Sequence, residues 1–210
     1  MVRLVTLMLT ALSAALVYGL TGGLAPGPLM TLVLTQTIRH GAREGMKTAL
    51  APLITDGPIM LVLLLFLDEI AAIRPLVGAI GIAGTLYLLY LAWESWTSKP
   101  PSPGDAVAAP QSLLRGALVN FLNPHPYLFW LTAGTPMLAK AWRHSGAAAI
   151  AFVALFFVCL VGSKILLALA IARSRERIVG RWYRPAMRVL AVLIVVFAGI
   201  VGRDAMMLLW

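Results

Sequence analysis

Gly22-Gly23-Leu24-Ala25-Pro26-Gly27-Pro28 interrupts an uncharged run that extends from Leu4 to Ile38. Glycine and proline weaken a helix, and each proline removes a backbone donor. In lipid an unpaired backbone group is costly, so irregular backbone survives there only against protein or a water-filled cavity. A second interruption, Asn123-Pro124-His125-Pro126, falls in the apolar run from Gly116 to Ala139. Paired interruptions in corresponding halves of a membrane protein point to a transport site. The pattern predicts an all-α integral membrane protein whose first and fourth helices are broken.

Composition agrees. Of the 210 residues, 60% are hydrophobic and 12% charged, whereas a soluble domain carries about 25% charge. Too little polar surface exists to cover a water-soluble fold. A net charge of +9 would suggest nucleic acid in a soluble protein. Here the basic residues cluster between apolar runs, which fits membrane orientation, so no nucleic-acid partner is expected. Cys159 is the only cysteine; it allows neither an intrachain disulfide nor a thiol pair for metal or redox work. No cofactor is expected. The first 24 residues carry one charge, Arg3, and no small-residue cleavage site before a polar domain. They read as a retained span.

A span needs roughly 20 mostly apolar residues. Six candidates follow: Leu4–Ile38, Thr48–Leu67, Pro75–Trp93, Gly116–Ala139, Ser145–Ala172, and a sixth from Pro185 or Val189 to Gly202, the shortest. Asp68-Glu69 makes an acidic turn before the third, whose end carries Tyr87, Tyr90, Trp93 and Trp96 as an interfacial belt. Residues 98–112, rich in proline, form a flexible cytoplasmic linker between repeats at 1–97 and 113–210. With the N-terminus on side A, side B receives Arg39, Arg43, Lys47, Lys99, Arg115, Arg173, Arg175, Arg177, Arg181, Arg184 and Arg188. Side A receives Arg3, Arg74, Lys140, Arg143 and Arg203. The positive-inside rule makes side B cytoplasmic and puts both termini outside. The Arg173–Arg188 segment should rest on anionic lipid headgroups. Three spans per half make the halves enter from opposite sides, as two inverted repeats.

Depth can be counted from the cytoplasmic charges. Pro28 precedes Arg39 by 11 residues, and Pro126 follows Arg115 by 11; Asp56 follows Lys47 by nine, and Lys164 precedes Arg173 by nine. At about 1.5 Å per residue all four lie about 13–17 Å deep, near the middle of a roughly 30 Å core. An ionisable residue at that depth is a functional candidate by default. Asp56 could carry protons or pair with a substrate amine; the structural alternative is an Asp56–Lys164 ion pair tying the halves together. Lys164 could hold a substrate carboxylate. His125 is a candidate proton or substrate ligand, or a hydrogen-bonding plug. Asn123 could cap freed backbone or bind substrate. Freed amides after Pro28 and Pro126 would favour an anionic group. Tyr127, Phe129 and Trp130 read as packing residues.

Taken together the motifs resemble the LysE/RhtB family of amino-acid exporters. The matching residues are Ala25-Pro26-Gly27-Pro28, then Arg39-His40-Gly41 with Arg43 and Gly45, then Asp56. In the second half they are Asn123-Pro124 with Leu128-Phe129-Trp130. The resemblance implies six spans, a bacterial inner-membrane location, and proton-driven export of amino acids or related metabolites. Three features depart from the family pattern: Ala51-Pro52 stands where a glycine is frequent, His125 where a lysine is frequent, and Lys164 belongs to no family motif.

The expectation is a secondary exporter of small zwitterions, not an enzyme. Its substrate site would be built from Pro26, Gly27, Pro28, Asn123, Pro124, His125 and Lys164, with Asp56 coupling protons. Two alternatives stand beside it. A metal-ion exporter of related architecture should place more carboxylates or histidines along its path. An intramembrane enzyme needs a nucleophile with a base or a metal cluster. Oligomeric state, including a homo-oligomer, is left open.

Overall fold

The computed structural model describes residues 2–65, 70–99 and 110–209, and every regular element among them is helical. The acidic turn at Asp68-Glu69 and the body of the linker, 100–109, lie outside the described residues.

The first interruption falls where glycine and proline place it. Helix α1 (Val2–Leu24) ends, and α2 (Pro28–His40) starts after a 57° bend. Proline fits the first helical position because its missing N–H would have no partner there. Gly27 is the extended N-cap and Pro28 opens α2. Gly41, at φ 95°, ends α2 in a conformation that favours glycine. Then α3 (Ala42–Ala49) and α4 (Ala51–Leu65) run on across Leu50, and α5 (Ile70–Thr97) follows.

In the second half the chain from Ser112 to His144 is divided. It contains α6 (Ser112–Phe121), α7 (Pro124–Phe129), a π turn at Trp130–Gly134, and α8 (Thr135–His144). Two long helices complete the fold, α9 (Gly146–Arg173) and α11 (Tyr183–Leu209). Between them lie the short turn α10 (Arg175–Arg177) and a π turn at Ile178–Trp182.

By length and composition, four of the described helices can cross a membrane: Ala42–Leu63, Arg74–Thr97, Gly146–Arg173 and Tyr183–Leu209. The bent pair α1–α2 makes a fifth. The expected fourth span is broken at Leu122-Asn123, just before Pro124, as its prolines predict, and beyond that break the helical run from Pro124 to His144 carries a π turn at Trp130–Gly134. The sixth span is not the shortest: α11 has 27 residues against 22 for Ala42–Leu63. The chain stays helical from the π turn at Ile178–Trp182 into α11 and through Pro185, and the Arg203-Asp204 pair continues the helix rather than ending it.

Large apolar side chains such as Leu86, Ile150, Val158 and Leu166 point outward from these helices. A water-soluble monomer rarely exposes so much apolar surface; lipid is its natural solvent. Small residues set the close contacts. Gly78 and Gly81 on α5 face Ala205 on α11, and Gly19 and Gly23 on α1 face α9. A Cβ at Gly84 would collide with the Leu122 carbonyl at the end of α6, which is backbone and cannot swing aside. Gly84→Ala should therefore destabilise by about 1–3 kcal/mol, the usual range for overpacking. At roughly 2–4 °C per kcal/mol for a chain this size, a thermal ramp in detergent would show a lower melting temperature. An unchanged one would contradict the contact.

One end of the bundle gathers charge. Glu94 at the end of α5 accepts from Arg39 of α2 at 2.9 Å and from Arg115 of α6. Arg175 donates to the Ile38 and Arg39 carbonyls at the end of α2, at 3.1 and 3.0 Å. Cations there complement the negative pole of α2. On the same end the Arg188 guanidinium lies 5.3 Å from the Trp96 ring centre.

Candidate functional site

Both interrupted segments open onto one cavity of about 480 Å³. Its lining includes Pro26, Gly27 and Pro28 from the first break, Asn123, His125 and Pro126 from the second, and Asp56 and Lys164. These residues are far apart in sequence; the fold brings all of them together. Pro124 is the exception. It does not line the cavity but is buried, its ring facing the Gly81 position of α5.

Asp56 sits on α4 between Pro52 and Pro58 and is 4% exposed. Its Oδ1 accepts from Asn120 Nδ2 at 2.7 Å and lies 3.3 Å from the Thr55 hydroxyl. Its Oδ2 accepts from Trp130 Nε1 at 3.3 Å. The Thr55 hydroxyl also lies 3.1 Å from the Ala51 carbonyl, and it has only one proton to give. Asn120 spans the pair by donating to Thr55 Oγ1 at 2.7 Å. Neutral donors thus converge on a carboxyl group that has no ion-pair partner within 4 Å among the described residues. The Asp56–Lys164 ion pair, the structural alternative, is not formed. Oδ2, with its single partner, keeps room for another donor.

Two of the donors were not read as site residues. Trp130, treated as packing, is fully buried and directs its N–H at Asp56. The π turn begins at Trp130, and π turns recur at functional sites. Gly134 makes the space, since a Cβ there would collide with the Trp130 ring. The one signal for Asn120 in the sequence is an amide in an apolar run, one turn before Asn123.

Lys164, also 4% exposed, takes another role. Its Nζ donates to the Gly22 and Gly23 carbonyls at 3.0 and 2.9 Å. Those are orphan carbonyls at the C-terminus of α1, where a cation meets both their hydrogen-bonding need and the helix dipole. The close approach of α1 to α9 allows it, because a Cβ on Gly23 would collide with Ser163 and lie 2.8 Å from the Leu160 carbonyl. An ammonium has three protons; two are used, and the side chain still lines the cavity.

The two half-helix N-termini differ. In α7, Asn123 Oδ1 accepts from the His125 amide at 3.1 Å, so Asn123 is a cap. Pro124 and Pro126 have no N–H to offer. The freed amides expected after Pro126 are therefore absent, because the helix starts at Pro124 and its one early amide is capped. In α2 no side chain caps the N-terminus. The amides of Leu29 and Met30, both lining residues, are orphans of the first turn.

His125 is half-exposed, and its Nε2 lies 3.3 Å from Asp204 Oδ2. Asp204 also accepts from Arg203 at 3.0 Å. The His125 ring therefore links the cavity to a second acid on α11.

The remaining wall is largely apolar, with Tyr18, Phe129, Phe156 and Phe197 beside Leu29, Met30, Leu160 and Ile200. Phe129 meets Tyr18 edge-on at 5.8 Å and stacks on Phe156 at 5.2 Å. Tyr127 does pack, donating its hydroxyl to the Phe121 carbonyl at 2.8 Å. Among the described residues no group of three His, Cys, Asp or Glu side chains is close enough to hold a metal ion.

Comparison with curated proteins and with solved structures returned no match. A family model described as LysE type translocator matches residues 20–204, which takes in both interruptions, Asp56 and Lys164; the chain belongs to this family of membrane transporters.

Proposed function

We propose that the protein exports amino acids or related small zwitterions across the bacterial inner membrane, driven by the proton gradient. One observation carries this: residues from both broken segments, a buried acid without an ion-pair partner, and a buried amine line the same cavity. A zwitterion presents the complementary pair, an ammonium for Asp56 Oδ2 and a carboxylate for the third proton of Lys164 and the amides of Leu29 and Met30. Protonation of Asp56 would compete with the substrate ammonium, which couples the two fluxes.

Packing supports two inverted three-helix repeats, with the pieces from Ser112 to His144 acting as the fourth span. Helix α1 packs on α9, as its counterpart α6 packs on α3 and α4, while α5 and α11 pack on each other. Such an arrangement suits alternating access by rocking one repeat on the other. Arg39, Arg115 and Arg175 meet at one end, in keeping with a common cytoplasmic side and both termini outside.

Counterflow tests the proposal. Purified protein in liposomes should accumulate labelled amino acid against an unlabelled amino acid inside, and an imposed pH gradient should change the rate. Counterflow with divalent cations and none with any amino acid would overturn it in favour of a metal-ion exporter.

A further inference from the structure

The cavity wall narrows the substrate class, an inference that rests on the exporter proposal. Among the lining residues, Asp56 is the one carboxylic acid and Lys164 the one lysine or arginine. The α-ammonium and α-carboxylate of an amino acid would occupy both. His125 is engaged with Asp204. A second charge on the substrate side chain would then find no second charged partner on a wall that is otherwise mostly apolar, and a buried unpaired charge is strongly disfavoured.

What the wall offers instead is apolar surface, with aromatic rings set beside Leu29, Met30, Leu160 and Ile200. Tyr18, Phe129 and Phe156 form a connected set of rings, with Phe129 and Phe156 only 7° from parallel. Phe129 also meets the Trp130 ring edge-on at 5.3 Å, the same indole that donates to Asp56. Phe197, on α11, adds a ring from another helix. The rings are held by each other, so little order is lost when a ligand ring joins them, and aromatic pairs favour stacked or edge-on approach. A cavity of 480 Å³ lies within the range that takes drug-sized ligands, far more than glycine or alanine would fill.

We propose that the exported amino acids are neutral with large apolar side chains, aromatic ones foremost, and that Phe129 is the residue that selects them. Phe129 touches the substrate side chain in this assignment, while Asp56 and Lys164 bind the part common to all amino acids.

The test is counterflow in proteoliposomes, with labelled phenylalanine, leucine, alanine, lysine and glutamate measured in parallel. Phenylalanine should lead, with alanine, lysine and glutamate at least about 10-fold lower, the discrimination an apolar pocket can supply. Phe129→Ala should reduce the phenylalanine-to-alanine ratio by about 10-fold while alanine counterflow persists. Phe129→Leu, which keeps bulk, should retain leucine. Lysine, glutamate or alanine moving as fast as phenylalanine would overturn the class assignment and leave the exporter proposal standing. No counterflow with any of the five would overturn the exporter proposal and this inference with it. An unchanged ratio in a well-folded Phe129→Ala protein would remove Phe129 from selection. If that variant fails to fold, the wild-type panel alone decides the class.

Discussion

Asp56→Asn should abolish proton-driven net flux while the protein still inserts and purifies as a single species. The carboxyl group is buried, lines the cavity and receives donors on both oxygens. An amide has one acceptor oxygen and one donor nitrogen. Placed at Oδ2, the nitrogen would face the indole N–H of Trp130, which can only donate. That mismatch costs about 1–3 kcal/mol, which a packed helical bundle can survive. The functional loss is larger. An amide cannot carry a proton in this range, so gradient-driven flux should fall by a factor on the order of 10² or more, as when a proton-transfer group is removed elsewhere. Flux in inverted vesicles, normalised to protein, measures it. Unchanged proton-coupled flux would take Asp56 out of the mechanism.

Lys164→Met should damage both stability and transport. Methionine keeps the apolar stem but leaves the Gly22 and Gly23 carbonyls without their donor. Each buried unpaired carbonyl costs about 1–3 kcal/mol. Removing a buried cation returns part of that, because the cation itself was expensive to bury. A net loss of about 2–4 kcal/mol is expected, or roughly 4–16 °C in melting temperature for a chain this size. The bend after Leu24 should loosen, since it is the end of α1 that Lys164 secures. Amino-acid counterflow should be lost even in protein that remains folded, as both the carboxylate-binding proton and the helix end disappear. A variant with wild-type melting and wild-type flux would show that the cap is idle.

Much of this fold was legible because lipid leaves so few options. Long apolar runs had to be helices, and Gly22–Pro28 and Asn123–Pro126 had to interrupt them. Counting residues from cytoplasmic charges put Pro28, Pro126, Asp56 and Lys164 at one depth, and the fold places all four around one cavity. Partners were harder to read. Depth says nothing about azimuth, so an Asp56–Lys164 ion pair stood as an alternative when each had found uncharged partners. Asn120 and Trp130 were hidden for a related reason: an amide and an indole are tolerated in many apolar helices, and only the packing of α6 and the π turn against α4 aims them. The extent of α11 was misjudged because Pro185 or Val189 read as its start and Gly202 as its end. Neither bound holds in context, since the π turn at Ile178–Trp182 leads into the helix ahead of Pro185, and beyond Gly202 Arg203 has Asp204 beside it.

The most direct check on a shared pocket between the two broken segments is substrate protection of a single cysteine. Cys159→Ala removes the native thiol and keeps its Cβ, and Ala25→Cys then places one reactive group at the first break, on the cavity wall. Labelling by a membrane-permeant thiol reagent should slow several-fold when a transported amino acid is present, and labelled protein should no longer transport. Labelling that ignores saturating amino acid, in protein that transports equally well before and after modification, would place the substrate path somewhere else.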